Sequence, residues 1–166
     1  MISLLEAPFL LSTLLLVGVA NGSPVVAAKL LKERFSAPLD GGRKLADGQP
    51  VFGSSKTIRG LVVSICSTTI MALVLGFGWG VGVGVAAWAM AGDLSSSFVK
   101  RRLRLEPHAQ AFGLDQIPEA LLPLLLLQNL FGLSWLDIAV LLTSFIALQL
   151  GLSRLLFRLG IRDRPY

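Results

Sequence analysis

Apolar residues occur along the chain in five long runs, separated by polar or glycine-rich segments. The runs cover residues 7–31, 58–75, 77–94, 117–133 and 136–153. A membrane-spanning helix needs about 20 predominantly apolar residues, so each run has roughly the length of one crossing. We expect the first helix to be interrupted at the Asn-Gly-Ser-Pro sequence near its middle. The pattern predicts an all-α integral membrane protein with five transmembrane helices.

The composition agrees with a membrane protein. Of the 166 residues, 54% are hydrophobic and 15% are charged, whereas a soluble domain carries about 25% charged residues. The single cysteine excludes a disulfide scaffold and a cysteine-based metal site. Five spans use roughly 100 positions, so we expect one membrane-embedded domain over residues 1–166. The net charge of +5 is then assigned to the membrane surface rather than to nucleic acid.

The basic residues predict the orientation of the chain. All 15 Lys and Arg fall within residues 29–59, 100–104 and 154–164. By the positive-inside rule these segments are cytoplasmic, which leaves the N-terminus outside and the C-terminus in the cytoplasm. We therefore expect a multi-pass protein of the cell membrane. Its two long cytoplasmic loops, residues 32–59 and 95–116, are the candidates for an active site.

A glycine-rich polar loop precedes the second apolar run. Gly48 and Gly53 have the spacing of a P-loop, but Lys56 and Thr57 come two residues too late and no strand precedes them. Glycines still let backbone N–H groups approach an anion, and Lys56 and Arg59 supply positive charge. Thr57 is suited to capping the next helix, whose N-terminus favours a phosphate. From spacing alone, a phosphate site and a basic loop resting on anionic headgroups are both open.

A polar stripe marks the end of the third run. On a helix, Asp93, Ser96, Ser97 and Lys100 share one face. A carboxylate at the edge of an apolar span indicates a bound cation or a partner. The alternative is an intrahelical Asp93–Lys100 pair beside a positive-inside anchor formed by the arginines that follow. For Asp93 we favour a functional role.

Asp115 lies at the entrance of the fourth run. It suits a helix N-cap, and it equally suits a second metal ligand beside Asp93. Two carboxylates and a hydrated Mg²⁺ are what a nucleoside triphosphate needs. Asn21 is expected to satisfy carbonyls freed at a kink in the first span. Closely spaced glycines around the third run predict close helix packing: Gly76, Gly78, Gly80, Gly82 and Gly84.

In this order, the polar segments resemble the CDP-archaeol synthase family, which is related to phosphatidate cytidylyltransferases. The likeness spans nearly the whole chain and is most specific at residues 56–60 and 92–102. The matching stretches are Ala20-Asn21 with Pro24, the loop of residues 38–60, Gly92-Asp93 with residues 97–102, Leu114-Asp115-Gln116 and the tail of residues 159–166.

The resemblance implies a five-helix enzyme that transfers CMP from CTP to a membrane lipid phosphate and releases pyrophosphate. The lipid is 2,3-di-O-geranylgeranylglycerol phosphate or a related glycerolipid phosphate, and Mg²⁺ is required. By the same resemblance Asp93 and Asp115 hold Mg²⁺, and together with Lys100 they are the catalytic residues. It also implies a set of nucleotide- and phosphate-binding residues: Asn21, Asp47, Gly53, Lys56, Thr57, Arg59, Ser97 and Arg101.

Two stretches depart from the family pattern. Where a second Asp is expected soon after Asp115, the chain has Ile117-Pro118-Glu119. Where a His and an Asn are expected before the tail, it has Leu152-Ser153-Arg154. These departures make an ester-linked phosphatidic acid an alternative substrate.

Other function classes fit the sequence less well. An anion carrier predicts polar groups at the midplane and a trace of an internal repeat, whereas the charges here lie at one interface and no repeat is visible. A CDP-alcohol phosphotransferase needs closely spaced aspartates on helices, which the sequence lacks. The hypothesis of a non-enzymatic membrane protein does not explain the polar stripe that contains Asp93.

Overall fold

The computed structural model describes residues 7–105, 111 and 113–158, of which 155–158 contribute backbone only. The tail of residues 159–166 and part of the predicted loop of residues 95–116 lie outside it. Within the described residues there is no strand, only isolated bridges between Pro38 and Thr57 and between Lys44 and Pro50, so the all-α prediction is confirmed. The helices are α1 (Ala7–Leu31), α2 (Ile58–Val74), α3 (Trp79–Arg102), α4 (Gln116–Phe131) and α5 (Trp135–Arg158).

Length and hydropathy alone support two membrane spans in the described part of the chain. These are Ala7–Leu31 and, within α5, Trp135–Arg154, each with a mean hydropathy of 1.8. The helices α2 and α4 have 17 and 16 residues, somewhat fewer than the roughly 20 that a crossing needs. The predicted count of five spans therefore remains a proposal.

The expected interruption of α1 is wrong, because the helix continues through Pro24. Proline has no backbone N–H and so leaves the carbonyl of Ala20, four residues earlier, without its helical partner. The Ser64 hydroxyl of α2 donates to that carbonyl at 2.7 Å. A serine from a neighbouring helix thus replaces the missing hydrogen bond. Asn21 does not, since its amide donates to the carbonyls of Val17 and Glu119.

The helices pack around α1, which contacts each of the other four. Their shared core is apolar and includes Leu16, Val85, Ala89, Leu124 and Phe145. At one end of the bundle, three aromatic rings from α1, the α2–α3 turn and α4 meet with centroids 5.3–5.9 Å apart. Basic residues of segments 29–59 and 100–104 lie at the opposite end, where the site forms.

Glycines allow α3 to touch its neighbours closely. A Cβ added at Gly82 would lie 2.5 Å from the Thr69 Cα atom of α2, and one at Gly92 would lie 2.2 Å from the Pro118 carbonyl oxygen of α4. The packing prediction is confirmed for Gly82 and for Gly84, whose added Cβ would lie 2.9 Å from a Leu126 methyl group. It is wrong for three glycines that have no neighbour within 4 Å of an added Cβ: Gly76, Gly78 and Gly80.

Candidate active site

A cavity of about 1160 Å³ lies between the loop that precedes α2 and the basic ends of the helices. It brings together residues that are far apart in sequence. Asp47 and Gly53 are absent from its lining. The other predicted site residues all line it: Asn21, Lys56, Thr57, Arg59, Asp93, Ser97, Lys100, Arg101 and Asp115.

The helix α3 carries the predicted stripe into this cavity. It extends to Arg102, eight residues beyond the expected boundary at 94, so the start of the predicted loop of residues 95–116 is helical. Asp93, Ser97 and Lys100 line the cavity, while the Ser96 hydroxyl donates to the Asp93 carbonyl at 2.9 Å. The apolar run ends before the helix does, because the last two turns of α3 carry polar side chains that face the cavity.

Two ion pairs join separate elements across the cavity. The Lys56 ammonium lies 2.5 and 2.7 Å from the two carboxylate oxygens of Asp93. The Lys100 ammonium lies 2.6 Å from Oδ1 of Asp115. The intrahelical Asp93–Lys100 alternative is therefore wrong: Asp93 pairs with the loop and Lys100 with the start of α4. Since all four side chains are partly buried, these charges act on one another more strongly than they would in bulk water.

Asp115 occupies the N-cap position of α4, but its side chain caps no helical N–H. Its Oδ2 atom accepts the Ala111 N–H at 3.0 Å, while Oδ1 faces Lys100. The helix-cap alternative is therefore wrong, and the carboxylate is directed to the cavity side of the turn.

The loop ends are fixed beside the cavity. The Leu39 N–H donates to the Lys56 carbonyl at 2.7 Å, which anchors the base of the Lys56 side chain. The next residue, Thr57, caps α2 as predicted, because its hydroxyl accepts the Gly60 N–H at 3.1 Å. Lys56 is thus held between a short backbone bridge and the first turn of a helix.

Arg59 ties α2 to the end of α1. Its Nη1 atom donates to the carbonyls of Lys32 at 2.8 Å and Arg34 at 2.5 Å. These carbonyls belong to the turn that follows the last residue of α1. Arg59 borders the cavity, but its described contacts give it a positioning role.

Asp40 is a structural residue that sequence reasoning missed. Its carboxylate accepts the N–H groups of Gly42, Phe52 and Gly53 at 2.9–3.0 Å. Partial burial raises the pKa of Asp40, but these backbone hydrogen bonds outweigh it and hold the pKa below its ordinary value. Gly53 has φ +94°, which explains the glycine as a turn residue. The available signal was an Asp two residues before a glycine, a common turn former.

Asp47 also holds the loop rather than lining the cavity. It forms an ion pair with Arg102 at 2.5 Å. Arg102 further donates to the Pro50 carbonyl at 2.5 Å and lies 5.2 Å from the centre of the Phe98 ring. One arginine at the end of α3 therefore fastens the loop to the helix.

Glu119 and Gln149 are cavity residues that the sequence did not identify. The Glu119 side chain is 6% exposed, and its Oε1 atom accepts a hydrogen bond from Gln149 Nε2 at 2.6 Å. The contact joins α4 to α5. The available signal was an ionisable residue inside an apolar helix, which by default indicates a functional site.

The helices and this cavity define the class: an all-helical membrane protein with a charged site at one end of its bundle. The family described as CarS-like CDP-archaeol synthase matches residues 9–166. The chain belongs to the CDP-archaeol synthase family, and the resemblance seen in its sequence is confirmed.

Individual relatives cover most of the chain. The CDP-archaeol synthase of Thermofilum pendens is 34% identical over 157 residues, covering 89% of this chain and 76% of that protein. The CDP-archaeol synthase of Sulfolobus acidocaldarius is 34% identical over 154 residues, covering 89% and 91%. The solved structure of an intramembrane enzyme for archaeal membrane lipids biosynthesis superposes with a TM-score of 0.75 at 29% identity, covering 90% of this chain and 93% of that one.

Proposed function

We propose that this protein transfers CMP from CTP to the phosphate of 2,3-di-O-geranylgeranylglycerol phosphate, giving a CDP-lipid and pyrophosphate. Family membership supports the reaction class. The observation that carries the proposal is the cavity in which Lys56, Asp93, Lys100 and Asp115 converge from a loop and two helices.

The reaction brings two anions together, so charge neutralisation is the main task of the site. A phosphate monoester has a second pKa of about 6, so the lipid phosphate is already ionised near pH 7 and needs no general base. Its oxygen attacks the α-phosphorus of CTP, and pyrophosphate leaves with the electron pair of the broken bond. Lys56, Lys100 and Arg101 offset the phosphate charge and hold the reactants in line. The lipid tails remain in the bilayer between the helices.

The donor set fits Mg²⁺. Asp93 and Asp115 supply carboxylate oxygens from two neighbouring helices. Among the described residues no group of three or more His, Cys, Asp or Glu converges, and Mg²⁺ commonly takes only one or two carboxylates and fills its shell with water and substrate phosphates. When bound, the ion would neutralise the triphosphate. Each aspartate would exchange its lysine for the cation, which frees the ammonium groups for the phosphates.

A direct assay tests the proposed reaction. Purified protein, labelled CTP and Mg²⁺ are incubated with ether-linked and ester-linked lipid phosphates, and the lipid fraction is analysed for labelled CDP-lipid. We expect the ether-linked geranylgeranyl lipid to be used best. Preference for phosphatidic acid would assign the ester-linked substrate instead, and no product from any lipid phosphate would refute the function.

We further propose five membrane crossings, with the N-terminus outside and the active site on the cytoplasmic face. The positive charge at the cavity end supports this orientation. At the other end, Trp79 and Trp135 are 69% and 70% exposed, as expected for aromatic side chains at a membrane interface.

Cysteine labelling tests the orientation. The exposed native Cys66 is first replaced by alanine, and single cysteines are then introduced. An impermeant thiol reagent added outside intact cells should label Gly78→Cys and Ser134→Cys and should not label Ala46→Cys. The reverse pattern would invert the topology.

A further inference from the structure

The turn that carries Lys56 is fixed to the start of its own loop. The Lys56 N–H donates to the Gly53 carbonyl at 3.2 Å, which closes a turn over residues 53–56. One end of this turn is bridged to Leu39, whose N–H donates to the Lys56 carbonyl at 2.7 Å. The other end is Gly53, so the position of Lys56 depends on what holds that glycine.

Asp40 holds the second end of the turn. Oδ2 of its carboxylate accepts the N–H groups of Phe52 and Gly53 at 2.9 and 3.0 Å, and Oδ1 accepts the Gly42 N–H at 2.9 Å. Hydrogen bonds to an ionised acceptor are roughly twice as strong as those between neutral groups. Two adjacent residues, Leu39 and Asp40, therefore fix both ends of the turn that carries Lys56.

The Lys56 side chain carries this constraint into the cavity. Asp40 is absent from the cavity lining, whereas Lys56 lines it. The Lys56 ammonium lies 2.5 and 2.7 Å from the carboxylate oxygens of Asp93, and the two side chains are 20% and 23% exposed. A misplacement of about 1 Å within an active site can lower a rate by about a hundredfold. A carboxylate outside the cavity thus controls where a cation inside it lies.

We propose that Asp40 is a positioning residue for Lys56. It fixes the turn of residues 53–56 so that the ammonium lies beside Asp93 before any substrate binds. A lysine side chain is long and flexible, so a fixed backbone is what limits the positions that its ammonium can reach. The consequence for catalysis rests on the proposed function, in which Lys56 offsets the charge of the reacting phosphates.

Cross-linking measures the position of the turn without any substrate. In a Cys66→Ala background, Lys56→Cys and Asp93→Cys are joined by a short bifunctional thiol reagent in purified full-length protein. The ion pair is then absent, so only the backbone keeps the two positions together. Because three hydrogen bonds to a charged acceptor are lost, we expect Asp40→Ala to lower the rate of cross-linking by about tenfold or more. Asp40→Asn should lower it less, because the amide keeps one acceptor oxygen.

Asp47→Ala is the matched control. Asp47 lies in the same loop and accepts the Gln49 N–H at 3.1 Å, and its side chain also bonds Arg102, so its described partners lie outside the turn of residues 53–56. This variant should cross-link as fast as the parent protein. A parental rate in a folded Asp40→Ala protein, or an equal fall in Asp40→Ala and Asp47→Ala, would overturn the inference. If Asp40→Ala does not fold, the same comparison with Asp40→Asn decides.

A double-mutant cycle tests the consequence for the substrate. Binding of labelled CTP is measured on purified full-length protein with Mg²⁺. Asp40→Ala should weaken binding by about tenfold when Lys56 is present. In a Lys56→Ala background the same change should matter by less than about twofold, because residues that act through one another are not additive. A general loss of stability would act equally in both backgrounds, and that result would contradict a positioning role.

The two proposals fail in different ways. Slower cross-linking in Asp40→Ala, together with no CDP-lipid from any lipid phosphate, contradicts the proposed reaction and supports the positioning of Lys56. Formation of CDP-lipid by the wild type, together with a parental cross-linking rate in Asp40→Ala, contradicts the positioning role alone.

Discussion

Asp93→Asn is expected to lower CDP-lipid formation by about two to three orders of magnitude while the protein still folds. Asparagine keeps the shape of the side chain but leaves the Lys56 ammonium without its carboxylate and removes one charged ligand of the proposed Mg²⁺ site. Loss of one electrostatic contact that stabilises the reacting phosphates lowers a rate by about two to three orders of magnitude. The measurement is initial rate at saturating CTP, with folding checked by thermal melting in detergent.

Asp115→Asn should have a similar effect if the two aspartates share one cation. Residues that act as a unit are non-additive, so the double variant should be little worse than either single one. Asp137→Asn is the matched control, since Asp137 lies at the other end of the bundle and bonds Ser134. An active Asp115→Asn enzyme would contradict the shared site and leave Asp93 as the sole carboxylate ligand.

Gly92→Ala is expected to have the largest effect on stability. The added Cβ would lie 2.2 Å from the Pro118 carbonyl oxygen and 2.7 Å from the Glu119 nitrogen. These are backbone atoms, so α3 and α4 must separate. Overpacking costs about 1–3 kcal/mol and at times more. Because Asp93 and Asp115 lie on the two displaced helices, activity should fall together with the melting temperature.

Gly80→Ala is the control for this prediction. It also lies in α3, but an added Cβ meets nothing within 4 Å. Alanine is favoured over glycine within a helix by about 0.5–1 kcal/mol, so this variant should be as stable as the wild type or slightly more so. Equal melting temperatures for the two variants would show that the α3–α4 contact is not tight.

Much of the helical architecture follows from the hydrophobic pattern. The five apolar runs correspond to the five described helices, because long apolar segments without strand periodicity form helices in a membrane. The predicted and observed helix ends differ at α3, which continues for two polar turns along the cavity beyond its apolar run. The continuity of α1 through Pro24 depends on a hydroxyl 40 positions away, which local sequence does not encode.

The composition of the site was partly predictable and its pairing was not. Asp93, Lys100 and Asp115 were predicted because they are charged residues at the edges of apolar spans. The structure brings them to one cavity. Which lysine faces which aspartate depends on how α3 packs against the loop and α4. Glu119 attracted attention only as a departure from a pattern, because its partner Gln149 lies 30 positions away.

The hydrogen bond between Ser64 and the Ala20 carbonyl makes residues 24 and 64 dependent on each other during evolution. With proline at position 24, loss of the Ser64 hydroxyl leaves a fully buried carbonyl unpaired, which is costly in an apolar environment. With any other residue at position 24, a backbone N–H returns to that carbonyl and the hydroxyl becomes dispensable. We therefore expect substitutions in related proteins to occur in one order, with Pro24 replaced before Ser64. Relatives that retain the proline should also retain a hydroxyl on α2.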